Sequence, residues 1–255
     1  MAPLAALAMG AGLSGCGNVD LTINGEKGVP LSELDTSGAA PTELVVAASA
    51  SVILTEGDTL DIEVEGDDED ALRFVLDNDT FGVTRDPDID FRDDKPVVRV
   101  TMPAPKSITI AGSGTVEAAT VASNSELAIG GSGSISIEEI AGESLEIAIG
   151  GSGSVKGAGT VERLEISIGG AGDVEMAGLK ADKAEISIGG AGNVEFASDG
   201  EVEATIAGAG DVVVNGNAKC SVSAFGSGTL TCNPTSSDGD EPADEEAEAV
   251  LTDET

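Results

Sequence analysis

Five glutamates, Glu126, Glu146, Glu165, Glu185 and Glu203, recur at steps of 20, 19, 20 and 18 residues, and they are the residues whose type and spacing best suit chemistry. Carboxylates stacked along one face can collect cations, either Ca²⁺, which takes oxygen ligands, or basic groups of a partner. They can equally keep a face wet and resistant to aggregation. Both readings stand at this point. Cys220 and Cys232 stand six residues before and six residues after Gly226. In an oxidising compartment they are candidates for a disulfide that seals one end of the fold, with two buried thiols as the alternative.

Other chemistries fail on residue type or spacing. The chain has no His, which removes Ser-His-Asp and Cys-His catalysis and any His-ligated zinc. The run Asp67-Asp68-Glu69-Asp70 lacks the alternating carboxylates and Gly that wrap a loop round calcium, so it reads as a solvated turn. The Gly-rich strings are not followed by Lys-Ser/Thr and a helix, as a phosphate loop requires. Nor do they repeat every nine residues, as a calcium-binding β-roll does. A polysaccharide lyase or hydrolase working through paired carboxylates remains the rival from another class. It would need a carboxylate cluster that interrupts the repeat, whereas the Glu column runs regularly.

What positions these residues is a repeat. Gly-x-Gly pairs begin at Gly112, Gly131, Gly151, Gly170, Gly190, Gly208 and Gly226, a period of about 19 residues that marks a solenoid. Four residues before each pair stand Ile108, Leu127, Ile147, Ile166, Ile186, Ala204 and Val222. Two before stand Ile110, Ile129, Ile149, Ile168, Ile188, Ile206 and Ala224, and four after stand Val116, Ile135, Val155, Val174, Val194, Val212 and Leu230. Apolar residues alternating with small polar ones on both sides of a Gly corner give strand, corner, strand. The glycines supply either positive φ or close approach between stacked coils. Three residues after each Gly a polar column runs Thr115, Ser134, Ser154, Asp173, Asn193, Asp211 and Thr229. Asp173 and Asp211 are two coils, roughly 10 Å, apart, too far to share one calcium ion, so stacked polar corners are the expectation. The whole predicts an all-β parallel β-helix with ladders of like residues along its axis.

The rest of the chain reads as terminal attachments to that solenoid. Residues 1–16 are apolar and uncharged up to Leu13-Ser14-Gly15-Cys16, and resemble a bacterial lipoprotein signal peptide whose lipobox ends on an acylated Cys16. That resemblance implies a lipid anchor rather than a membrane span. Residues 17–42 read as a flexible tether, 43–107 as atypical β coils that begin the solenoid, 108–233 as the regular repeats, and 234–255 as an acidic, disordered tail. With 47 acidic against 12 basic residues and a formal charge of −35, nucleic acid and anionic membrane surfaces are excluded as direct partners.

The strand pair built on Ser51-Val52-Ile53-Leu54-Thr55-Glu56-Gly57-Asp58, the strand ending Val100-Thr101-Met102-Pro103 and the Gly-Ser/Ala-Gly repeats resemble the DUF2807 family, the putative auto-transporter adhesin head GIN domain. The resemblance spans about residues 43–231 and implies a right-handed parallel β-helix in a bacterial envelope protein, periplasmic or at the surface. It carries no catalytic motif. The expected function is therefore non-catalytic: an adhesin-like or scaffolding module for an envelope polysaccharide or protein, with Ca²⁺ as the one cofactor the Glu column suggests.

Overall fold

The computed structural model describes residues 22–66, 69–86, 88–89 and 95–234. Cys16, Asp67, Asp68 and the acidic tail from residue 235 on lie outside the described residues. Among the described residues, eighteen strands build the fold. The short strands β1 (Thr22–Ile23) and β2 (Glu26–Lys27) pair with each other. They are followed by β3 (Glu43–Val46), β4 (Ser51–Glu56), β5 (Asp61–Glu65), β6 (Leu72–Asp77), β7 (Thr80–Arg85) and β8 (Val97–Met102). The repeats begin with β9 (Ser107–Ile110), β10 (Thr115–Thr120) and β11 (Asn124–Ile129). They continue through β12 (Ser134–Ile149), β13 (Ser154–Ile168), β14 (Asp173–Ile188) and β15 (Val194–Ile206). The last are β16 (Asp211–Asn215), β17 (Lys219–Ala224) and β18 (Thr229–Asn233).

From β9 onward the chain is a parallel β-solenoid of about 19-residue coils. Each coil has one strand before the Gly corner and one after it. The long strands β12 to β14 carry both, bending where the ladder register shifts, as between Ile137 and Ile140. The three apolar columns are buried from Ile108 to Val212, and each buried aliphatic side chain contributes roughly 1.5–3 kcal/mol. A further inward column, Ile137, Met176, Phe196 and Val214, completes the core. In the last coil the same columns reach open solvent, with Val222 47% exposed, and Phe225 beside the corner is 75% exposed.

The glycine corners work by close approach. Among the repeat glycines that open each pair, only Gly226 has a positive φ. At Gly190 a Cβ would fall inside the van der Waals envelope of the Gly170 carbonyl oxygen. That same oxygen accepts the Ala191 N–H at 2.9 Å, so the corner of each coil is stitched to the one beneath it.

The N-terminal region departs from simple winding. β3 pairs in parallel with β9 on one side and β7 on the other, and β4 sits likewise between β10 and β8. The coil of β3 and β4 is thus intercalated between that of β7–β8 and that of β9–β10, although both β7 and β8 follow it in sequence. β5 and β6 then run antiparallel along β8 and β7 and close this end. The reversal into β7 passes through Asn78, whose φ of 50° suits a residue tolerant of the left-handed region. Phe74 and Phe81 stack across the reversal with centroids 6.1 Å apart, and Arg73 pairs with Asp86.

The tether reading of residues 17–42 does not hold for residues 22–34. Ile23 is 1% exposed and packs with Val45 and Val75, and Val29 bridges to Phe74. Leu31 and Leu34 also pack against the core. Ile23, Leu31 and Leu34, set without periodicity, carry no signal in sequence, yet each finds apolar surface on the closed end.

Candidate functional site

The strand before each Gly corner carries the Glu column on its outward positions. Glu126 pairs in register with Glu146, Glu146 with Glu165, Glu165 with Glu185 and Glu185 with Glu203, so the five form one contiguous ridge. On the N-terminal side the ladder continues from Glu126 to Ser107 and from Ser107 to Glu43. Glu43 is therefore a sixth carboxylate on the ridge, set apart by a single Ser. Sequence reasoning missed it because the coil that bears it is stacked out of chain order. Its only sequence signal is its place before the apolar run Leu44-Val45-Val46.

The gap at Ser107 opens a cleft of about 300 Å³, lined by Glu43, Lys106, Ser107, Asn124, Ser125, Glu126, Ser144 and Glu146. Glu43 accepts a 2.8 Å hydrogen bond from Thr80 Oγ1, which itself accepts one from Asn24 Nδ2 at 3.3 Å. Asn124 Nδ2 donates to Glu143 at 3.3 Å. Glu126 is partly buried beside Leu127 and Ser125. Burial, then the charges of Glu146 and Glu43, hold its carboxyl above its ordinary value of 4.5.

That shift has a stability consequence. A carboxyl raised in the folded state favours the protonated form there, so its penalty is absent below the ordinary value and grows as pH rises through the folded one. Glu126→Gln should accordingly raise stability by about 0.2–1 kcal/mol at neutral pH, the cost of like charges opposite each other on a ladder. The gain should vanish near pH 3.5, where the unfolded carboxyl is itself mostly protonated. Urea melts at the two pH values check this; an equal gain at both would count against the electrostatic account.

The polar column after the Gly corner is a hydrogen-bonded ladder. Asn193 donates from its backbone N–H at 3.1 Å and from Nδ2 at 2.9 Å to Asp173 Oδ1, and Thr229 donates from N–H at 3.1 Å and from Oγ1 at 2.7 Å to Asp211 Oδ1. Each carboxylate caps the next coil rather than facing a ligand. Beside it Lys156 pairs with Glu175 at 2.8 Å. Among the described residues, no group of three His, Cys, Asp or Glu side chains is placed to hold one metal ion.

Cys220 and Cys232 are joined by a disulfide with Cα atoms 6.8 Å apart. They extend the inward columns that hold Val202 and Val214, so the bridge ties the last two strands across the open end of the core. Closing so short a loop predicts a stabilisation of about 2–3 kcal/mol. Reduction should expose residues 219–233 to amide exchange while leaving the coils below protected. Uniform loss of protection would show that the bridge holds more than the last coil.

The chain matches the family described as DUF2807, putative auto-transporter adhesin, head GIN domain, over residues 40–218. The chain belongs to the DUF2807 family. Its fold is similar to that of a putative adhesin from Bacteroides fragilis at 21% identity and a TM-score of 0.71, covering 76% of this chain and 92% of that one. A putative lipid binding protein from Parabacteroides distasonis matches at 20% identity and a TM-score of 0.60, covering 76% and 93%. A putative adhesin from Parabacteroides merdae matches at 17% identity and a TM-score of 0.55, covering 76% and 92%. No curated protein matches this DUF2807 chain. Among its described residues no helix is long and apolar enough to cross a membrane.

Proposed function

We propose that this DUF2807 chain is a non-catalytic, adhesin-like or scaffolding module of the bacterial cell envelope. It is tethered to the membrane by a lipid on Cys16 and binds an envelope polysaccharide or protein through the ladder face that carries Glu43 and Glu126 to Glu203. The observation that carries the reading is the contiguous carboxylate ridge. Like charges stacked one strand spacing apart cost stability, and a face that maintains such a cost is suited to cationic groups on a partner. The family and the fold of the B. fragilis adhesin support the adhesin class. The Leu13-Ser14-Gly15-Cys16 sequence supports the anchor.

Co-sedimentation of the purified protein with isolated envelope polysaccharide, in the presence and absence of Ca²⁺ at fixed ionic strength, tests the binding role. The same mixture is assayed for new chain ends. Binding without new ends is expected. New ends would replace this reading with that of a carboxylate-dependent lyase or hydrolase, and binding of neither polysaccharide nor an envelope protein would end it. For the anchor, incorporation of a labelled fatty acid should disappear in Cys16→Ser.

A further inference from the structure

The two exposed large apolar side chains among the described residues, Val222 and Phe225, both belong to the last coil. Phe225 donates its N–H to the Ile206 carbonyl at 2.7 Å, at the place where Gly169, Gly189 and Ala207 make the same bond on the coils below. Nothing in that corner asks for an aromatic ring, because glycine or alanine closes it elsewhere. Neither β17 nor β18 has a partner strand on its outer edge among the described residues. An edge of unpaired N–H and C=O groups is a template for a further strand.

The other end of the solenoid is defended. β5 sets Asp61, Glu63 and Glu65 at its exposed positions, and β6 meets Val29 through Phe74. The last coil has no such defence and is free of acid. Residues 212–237 contain no Asp or Glu, in a chain of formal charge −35. The acidic columns stop short of the last rung: Glu201 is followed by Lys219, Glu203 by Ser221, Asp211 by Thr229, and Glu195 by Val213 and then Thr231. The disulfide between Cys220 and Cys232 joins the two edge strands, so the end is held in shape before anything binds it.

Removing acids from an exposed edge matters most where the partner is itself strongly acidic, and a second copy of this chain is such a partner. With β17 against β17 of another copy, Glu203 and its counterpart stand three rung spacings apart, roughly 14 Å at about 4.8 Å per rung. That exceeds the screening length of about 8 Å at physiological salt. A carboxylate at position 221 would bring the nearest pair to roughly 5 Å, well inside it. A cationic partner, by contrast, is better served by the Glu ridge than by an end without acids.

We infer that the C-terminal end of the solenoid, over residues 219–233, is the interface of a two-fold dimer of this chain. The edge of β17 pairs antiparallel with β17 of the second copy, Val222 and Leu230 continue the core across the junction, and Phe225 anchors the contact beside the corner. Both copies use the same face, so association stops at two, and the closed ends that carry β5 and β6 point away from each other. The dimer does not depend on what the Glu ridge binds.

Sedimentation equilibrium of the full chain at physiological salt should show monomer and dimer in exchange, and amide exchange of residues 219–233 should slow as protein concentration rises. Ser221→Glu and Phe225→Ser should each weaken the dimer by about tenfold or more, the effect of spoiling an anchor in an interface. Added salt should restore the first and not the second. Ser167→Glu places the same charge on an exposed position of a middle coil and should leave the dimer intact. Melting curves confirm that each variant folds. A monomer at every concentration overturns the inference. So does a dimer that both Ser221→Glu and Phe225→Ser leave intact, or particles that grow beyond two copies. A monomer whose 219–233 amides are already protected would mean that another segment of the chain covers the end, which overturns it as well. Co-sedimentation with polysaccharide reads the Glu ridge separately, so the failure of either reading leaves the other standing.

Discussion

Phe196→Ala lowers the stability of the solenoid by about 3–5 kcal/mol, the range for removing a fully buried aromatic side chain. Phe196 is 0% exposed and continues an inward column flanked by Met176 and Val214, with Val214 paired to it on the next coil. On the β16 side the ladder runs unbroken through Phe196 and Val214, so the space cannot collapse there without moving a whole rung, while the ladder to β14 shifts register opposite Phe196. In a solenoid each coil is stabilised chiefly by its neighbours. The loss is therefore felt first by the coils of β16 and β18, which stack on this rung and end in open solvent. Chemical denaturation with amide exchange measures both parts. A loss below about 1 kcal/mol, or protection lost first near β9, would contradict this account.

Gly190→Ala costs roughly 3 kcal/mol, the upper part of the range for overpacking, whereas Gly189→Ala costs under about 1 kcal/mol. The two glycines are adjacent in sequence. At Gly189 an added Cβ lies 3.7 Å from the nearest atom, the Ile168 carbonyl oxygen, while at Gly190 it collides with the carbonyl of Gly170. Backbone on both sides of that collision belongs to hydrogen-bonded corners, so relief means separating two coils and lengthening the 2.9 Å bond from Ala191 N–H to Gly170. Thermal unfolding of the pair of variants decides it. Equal effects would mean that glycine serves the corner through backbone freedom and not through contact.

Much of this architecture is legible in sequence because side-chain alternation reports burial directly. The columns at Ile147, Ile149 and Val155 are apolar in every copy and are buried in the structure up to the last coil. The Glu ridge was equally legible, since its five members share one offset from the Gly corner. The cleft was not. A single Ser in a column held on later coils by Leu, Ala or Val reads as ordinary variation, and Glu43 lies outside every repeat by sequence distance.

The sequence by itself determined the coil length, the inward and outward faces, the place of each glycine corner and the ridge from Glu126 to Glu203, because each depends on local periodicity and on residue size at one corner. Only the tertiary structure decided the order of the first coils, the antiparallel closure by β5 and β6, and the meeting of Glu43 with Ser107, Ser125 and Glu126. Which strand edge a coil pairs with is set by backbone hydrogen bonds that any residue but Pro can make. That choice leaves no mark on side-chain pattern, and the cleft at Ser107 arises where the stacking order and the chain order part.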